Sequence, residues 1–295
     1  MRILLTGNTG QVGWELARAL MPLGEVIAVD RNQADLTDLN ALRAIVDEIQ
    51  PNVIVNPAAY TAVDKAESES ELAFRVNAEA PGVLAEEASK IGALLVHYST
   101  DYVFDGSKVS PYTETDDTNP INVYGQSKLA GEQAIQAVGG DYLILRTSWV
   151  YASRGNNFLK TIMRLAAERE ELKIVADQIG TPTWARLIAE TTTHVIRQSV
   201  FEQQCSILNS TTYNLTASGE TSWHGFAQKI VELAKEQGKS DLKNRAMLPI
   251  PTSDYPLPAK RPANSRLSND SLEQQFGLVM PSWDNALRLC MQELA

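Results

Sequence analysis

Tyr124 and Lys128 stand four residues apart in Tyr124-Gly125-Gln126-Ser127-Lys128. On a helix that spacing puts both side chains on one face. A free phenol titrates near ~10, too high for acid–base work at neutral pH. A neighbouring ammonium favours the phenolate and brings that value down. A tyrosine tuned in this way can hand its proton to a carbonyl oxygen while hydride reaches the carbon. Thr100 ends an apolar run further upstream, and its hydroxyl can hold the same oxygen. Lys128 has a second use, as a donor to the ribose of a nicotinamide cofactor.

Such chemistry needs a hydride carrier, and the start of the chain offers a place for one. Thr6-Gly7-Asn8-Thr9-Gly10-Gln11-Val12-Gly13 directly follows the apolar run Ile3-Leu4-Leu5. Its glycines are spaced G-x-x-G-x-x-G where a strand should end and a helix begin. Glycine lets the backbone turn sharply, and the free N–H groups and partial positive charge of a helix start hold a pyrophosphate. Together with Tyr124 and Lys128 the pattern implies NAD(P)-dependent chemistry. The second apolar run ends in Val29-Asp30-Arg31. Asp30 can accept from ribose hydroxyls, which suits NADH. Arg31 can receive a 2′-phosphate, which suits NADPH. Both cofactors stay open on these residues. Asp35 and Leu36 fall where the adenine should lie, and Ala59, Tyr60, Thr61 and Asn77 complete the expected cofactor set.

The elements that must position these groups follow from hydrophobic spacing. Up to residue 150, apolar runs at 3–6, 26–30, 53–56, 94–100 and 142–147 read as strands buried on both faces. Between them, Val12, Leu16 and Leu20 mark one helix, Val76, Ala80, Leu84 and Ala88 a second, and a third starts near Asn122. The alternation predicts an α/β fold with a doubly wound parallel sheet. Beyond residue 150 the pattern loosens. Helices are expected over 157–169, 185–198 and 226–236, and a strand over 172–175. Residues 213–216 read as a strand returning to the main sheet. Five prolines within 249–262 predict extended loop. The expected organisation is a cofactor domain over 1–150, with a returning segment near 209–236, and a smaller lobe over 151–295.

Bulk properties narrow the partners. The 295 residues carry a net charge of −10 and 44% hydrophobic residues. That acidity argues against nucleic acid and against an anionic membrane surface. An anionic substrate must therefore meet local positive charge. The two cysteines, Cys205 and Cys290, form no motif and suit a reducing compartment. His97, His194 and His224 lack metal-ligand spacing. No apolar run reaches the ~18 residues of a membrane span. The expected location is the cytoplasm.

Longer strings carry a resemblance. They include Gly10-Gln11-Val12-Gly13-Trp14-Glu15, Tyr60-Thr61-Ala62-Val63-Asp64-Lys65-Ala66-Glu67 and Ser99-Thr100-Asp101-Tyr102-Val103-Phe104-Asp105-Gly106. Asn122-Val123-Tyr124-Gly125, Arg146-Thr147-Ser148-Trp149-Val150-Tyr151 and Arg261-Pro262-Ala263-Asn264-Ser265 extend the set. Together they resemble the extended short-chain dehydrogenase/reductase family, over essentially the whole chain. The resemblance implies a Rossmann-like sheet with a smaller C-terminal α/β substrate lobe. It also implies hydride transfer from NADPH or NADH to C4 of dTDP-4-dehydro-6-deoxy-L-mannose, giving dTDP-L-rhamnose. Tyr124 would be the proton donor, Lys128 its partner and Thr100 the second bond to the oxygen. Val63, Asp64, Thr100, Asp101 and Trp149 would meet the dTDP-sugar, and Arg261 its diphosphate. Some relatives are homodimers that hold Mg²⁺ through interface carboxylates, and Glu15 and Glu293 match such positions. Arg186 stands where a third carboxylate belongs, and a cation there repels a metal. Related dehydratases resemble Thr-Asp-Glu where this chain has Thr100-Asp101-Tyr102, so elimination lacks its base. The alternatives are another nucleotide-sugar ketoreductase or an epimerase of the family, or a non-catalytic NADP-binding regulatory subunit. The last would have no chemical reason to keep Thr100, Tyr124 and Lys128.

Overall fold

Strands that are apolar on both faces need helices on both faces, and that demand sets the architecture. The computed structural model describes residues 1–239 and 242–294. The first half runs β1 (Arg2–Leu5), α1 (Gln11–Ala19), β2 (Glu25–Ala28), α2 (Leu39–Ile49), β3 (Val53–Asn56), α3 (Val63–Ala66), α4 (Ser70–Phe74), α5 (Ala80–Ile91), β4 (Leu94–Thr100), α6 (Val123–Val138) and β5 (Tyr142–Thr147). Then come β6 (Val150–Tyr151), α7 (Phe158–Glu168), β7 (Glu171–Val175), β8 (Ile179–Gly180), β9 (Thr183–Trp184), α8 (Ala185–Gln204) and β10 (Thr211–Asn214). The chain finishes with β11 (Thr221–Ser222), α9 (Trp223–Glu236), β12 (Ala246–Ile250), α10 (Asp270–Phe276) and α11 (Trp283–Gln292).

The main sheet is six-stranded in the order β10-β5-β4-β3-β1-β2, and every pairing in it is parallel. Alternate residues face opposite layers. Leu5, Val55, Val96, Tyr98 and Leu145 pack toward α1, α8 and α10. Leu4, Ile54, Leu95 and Ile144 pack toward α2, α5 and α6. Strands β3, β4 and β5 keep the boundaries expected from their apolar runs. Helix α2 was not among the expected elements. Its stripe Leu42, Val46 and Ile49 is buried, and Asp38 caps it by accepting from the amides of Asn40 and Ala41.

The second half divides differently from the expectation. Strand β10 joins the main sheet beside β5. Helix α9, expected in the same returning segment, instead buries Phe226, Ala227, Ile230 and Val231 in a separate cluster with α7 and α11. What returns with β10 is α8, whose Ile188, Ala189, Val195 and Ile196 pack against the sheet together with Leu16 of α1. The proline-rich stretch is mostly loop, but it begins inside β12 and contains a 3-10 turn at Thr252–Asp254. Pro249 is tolerated because, among the described residues, β12 pairs only with β7 and leaves its other edge free.

Candidate active site

The glycine loop lies between β1 and α1. Gly7 has φ +59, and the amide of Gly10 donates to its carbonyl at 3.0 Å. A Cβ on Gly13 would stand 2.1 Å from the Gly7 oxygen, so only glycine lets α1 start this close to the loop. No side chain caps α1. Among the described residues the amides of Gln11, Val12 and Gly13 have no protein acceptor. A helix start left open in this way is a fitting cradle for a pyrophosphate. Thr9, Gln11 and Val12 all lie on this loop or the first turn of α1.

Next along the same edge of the sheet, Asp30 accepts from the Asn32 amide at 2.8 Å, and exposed Arg31 pairs with Asp35 at 3.2 Å. The Thr37 amide and hydroxyl and the Arg31 guanidinium hold the Asp35 carboxyl low. Leu36 is buried in the core beside α2. After β3, Ala59, Tyr60 and Thr61 form the loop that leads into α3. Asn77 locks it: its side chain accepts from the Tyr60 amide at 2.8 Å and donates to the Tyr60 carbonyl at 3.0 Å. The Asn77 amide also donates to Ser127 Oγ at 3.0 Å, and Ser127 donates to the Tyr124 carbonyl at 2.8 Å. One buried asparagine thus ties the cofactor edge to the helix that carries the tyrosine.

Helix α6 is set by its cap. Asn122 Oδ1 accepts from the Gly125 amide at 2.8 Å, and Asn122 Nδ2 donates to the Lys260 carbonyl at 2.7 Å. Tyr124 therefore sits in the first turn, beside the end of β4. Burial pushes its phenol up to about 12, and the neighbouring Thr100 hydroxyl pulls the other way. Thr100 Oγ1 donates to Asp101 Oδ1 at 3.0 Å. Burial raises the Asp101 carboxyl to about 7, and its Oδ2 has no partner among the described residues. The Tyr102 ring meets the Tyr124 ring edge-on at 5.5 Å.

Lys128 is 2% exposed, and burial lowers its ammonium to about 8. Lys128 Nζ donates to the Tyr98 carbonyl at 2.7 Å and lies 3.0 Å from His97 Nε2, rather than bonding the phenol. His97, Asn56 and Thr6 are a buried polar set missing from the sequence expectations, because their meeting depends on strand register.

Asp64 and Arg261 form a bidentate pair at 2.8 and 2.7 Å, and Asp64 also accepts from the Ala259 amide. The guanidinium expected to face a diphosphate is thus already engaged by a carboxylate. Val63 opens α3 next to Asp64. Trp149 has φ +46 and stacks on Trp223 with centroids 3.6 Å apart. Trp223, unforeseen in the sequence, hydrogen-bonds Gln178 at 3.2 Å.

Glu15 and Glu293, the two candidate metal carboxylates, both meet Arg186, the cation expected to repel a metal. Arg186 Nε lies 3.1 Å from Glu15 Oε2, and its other nitrogen pairs with Glu293. Glu15 is buried at 3% exposure. A guanidinium already occupies both carboxylates, so this donor set does not fit Mg²⁺. Among the described residues no cluster of three or more His, Cys, Asp or Glu could hold a metal.

A family model described as RmlD substrate binding domain matches residues 1–295. The chain is 54% identical to a dTDP-4-dehydrorhamnose reductase of Burkholderia thailandensis, covering 100% of this chain and 99% of that one. Among solved structures it is similar to a dTDP-4-dehydrorhamnose reductase of Clostridium acetobutylicum, with TM-score 0.90, 38% identity and 100% and 99% of the two chains covered. It is also similar to the Bacillus anthracis dTDP-4-dehydrorhamnose reductase in complex with NADP, with TM-score 0.89, 37% identity and 99% of each chain covered.

Proposed function

The chain belongs to the RmlD substrate binding domain family, and from that premise we propose that it is an NADPH-dependent oxidoreductase reducing dTDP-4-dehydro-6-deoxy-L-mannose to dTDP-L-rhamnose. The observation that carries the reading is half-buried Tyr124 in the first turn of α6 next to buried Thr100 at the end of β4, on the sheet edge where the start of α1 is left open for a pyrophosphate. Whole-chain identity to reductases of that name supports the substrate.

Bound NADPH supplies the hydride for C4 of the sugar. The amides of Gln11, Val12 and Gly13 hold its pyrophosphate, and Gly7 and Gly10 keep the loop close. Exposed Arg31 serves the 2′-phosphate, which favours NADPH over NADH, and Asp30 serves the ribose. Thr100 donates to the C4 oxygen and orients it. Tyr124, protonated through the neutral range because burial raises its phenol, gives that oxygen its proton as hydride arrives. Lys128 then returns a proton to Tyr124. Asp101 and Trp149 bind the sugar, and the Asp64–Arg261 pair closes the cleft on the side of α3. The reaction belongs in the cytoplasm, where free Cys205 and Cys290 stay reduced; no described helix is long and apolar enough to cross a membrane.

The test is direct. The protein is mixed with dTDP-4-dehydro-6-deoxy-L-mannose and either NADPH or NADH, and loss of the reduced nicotinamide's absorbance is followed. Oxidation with formation of dTDP-L-rhamnose is expected, faster with NADPH. No oxidation by protein that demonstrably binds NADPH would end this reading and favour a regulatory, non-catalytic role.

A further inference from the structure

Thr6, Asn56 and His97 form one row across three neighbouring strands. Asn56 and His97 are register partners on β3 and β4, and Thr6 continues the β1 register that pairs Leu5 with Val55. All three are buried, at 1%, 0% and 0% exposure. They face the layer of α5 and α6, in a position that apolar residues fill one step earlier along each strand: Leu4, Ile54 and Leu95. Burying three polar side chains there carries a cost unless each is hydrogen-bonded.

The bonds run in one direction. Thr6 Oγ1 donates to Asn56 Oδ1 at 2.6 Å. That fixes the Asn56 carboxamide, so its Nδ2 faces His97 Nδ1 at 3.1 Å. An amide nitrogen can only donate, so Nδ1 accepts and the ring proton sits on Nε2. Nε2 then points its N–H at Lys128 Nζ, 3.0 Å away. An ammonium has no lone pair to receive it, whereas a neutral amine has one. The amine in turn donates to the Tyr98 carbonyl at 2.7 Å.

We propose that His97 is a positioning residue for the reaction: fed by Thr6 and Asn56, it donates to the Lys128 amine and so stabilises the form that remains after Lys128 has given up a proton. The step it serves is the recovery of Tyr124. The phenolate left after protonation of the sugar oxygen takes a proton from Lys128 Nζ; the N–H bond breaks, the O–H bond forms, and the neutral amine is met by His97 Nε2–H until solvent supplies another proton. This rests on the reading of Tyr124 and Lys128 given above.

The other charged groups around the lysine act in known directions. On α6 itself, Glu132 favours the ammonium, but it is held by Arg146 of β5 at 2.9 and 2.6 Å. Tyr124 lies one turn earlier on α6, and Asp101 stands at the end of β4. Tyr98 turns its hydroxyl to Thr192 on α8, on the opposite face of the sheet. The lowered lysine value agrees with the direction of the hydrogen bonds.

The test follows the Lys128 ε-carbon by NMR across pH in lysine-labelled full-length protein, with the resonance assigned from Lys128→Arg, and kcat in parallel. His97→Leu removes the donor: the lysine titration is expected to move up by about one pH unit, the equivalent of a tenfold change in proton affinity, and kcat to fall with the KM for the sugar nucleotide unchanged. His97→Gln, which keeps an amide donor, is expected to restore both. Should His97→Leu not fold, isosteric Asn56→Asp accepts from Nδ1, turns Nε2 into an acceptor, and is expected to move the titration the same way. A lysine titration unchanged in the folded variants overturns the proposal, even if the wild type reduces its substrate. A wild type with no turnover ends the functional reading, and the proposed step with it.

Discussion

At the scale of single residues, burial sets the charges of the site. Tyr124 stays a phenol because its anion would be desolvated. Tyr124→Phe is expected to lower kcat by roughly 10²–10⁴-fold, the usual worth of a positioned proton donor, while NADPH binding, measured by fluorescence titration, stays near wild type. Full turnover in that variant would remove Tyr124 from the mechanism. Asp101 makes a prediction about stability. Its folded value, about 7, lies above the ordinary 3.8. A raised carboxyl adds stability that is fully present at low pH and is lost as pH climbs from the unfolded value through the folded one. Asp101→Asn cannot lose a proton, so its thermal stability relative to wild type should rise between pH 4 and pH 8, by up to roughly 4 kcal/mol for a shift of this size. Parallel melting curves over that range check it; a constant difference would mean the carboxyl is not neutral in the fold.

At the scale of elements, a few caps and close approaches place these groups. Asn122 both caps α6 and holds the Lys260 carbonyl. Asn122→Ala should cost about 1 kcal/mol for the lost cap, read in the melting temperature, and lower kcat because the first turn carrying Tyr124 loosens. Gly180 gives room to Trp149: a Cβ there would lie 2.5 Å from the indole. Gly180→Ala should raise the KM for the dTDP-sugar more than that for NADPH, and equal effects on both would detach Trp149 from the sugar side. Much of this layer is legible in the sequence, because doubly buried strands leave unbroken apolar runs. Strands β3, β4 and β5 coincide with theirs for that reason. Helix α2 carries the right signals, the Leu42–Val46–Ile49 stripe and the Asp38 cap, although it was not among the expected elements. The Asp64–Arg261 pair and the Thr6–Asn56–His97 row are different. Their members lie far apart in the chain and meet only through register and loop closure, which no local spacing encodes. Tyr124, Lys128 and Thr100 were legible because a helical turn and a strand end are local features.

At the scale of the whole molecule, one cation ties separate parts of the chain together. Arg186 links α8 to Glu15 on α1 and to Glu293 just past α11, so one guanidinium joins three parts of the chain. EDTA is therefore expected to leave both activity and melting temperature unchanged, and added Mg²⁺ to give no thermal shift. Loss of activity on chelation, restored by Mg²⁺, would show that the guanidinium is displaced. Arg186→Ala should cost several kcal/mol, because it leaves Glu15 buried without its partner.

The position of β10 has a consequence for how the protein is made. Strand β5 pairs with β4 on one side and waits for β10 on the other, and α8, which covers that face of the sheet, also comes late in the chain. During translation the nascent first half therefore carries an open strand edge and an uncovered apolar face until Asn214 has left the ribosome. At ~5–20 residues per second that interval lasts several seconds, long compared with hairpin or helix formation. In that interval the exposed parallel edge is a template for pairing with another copy.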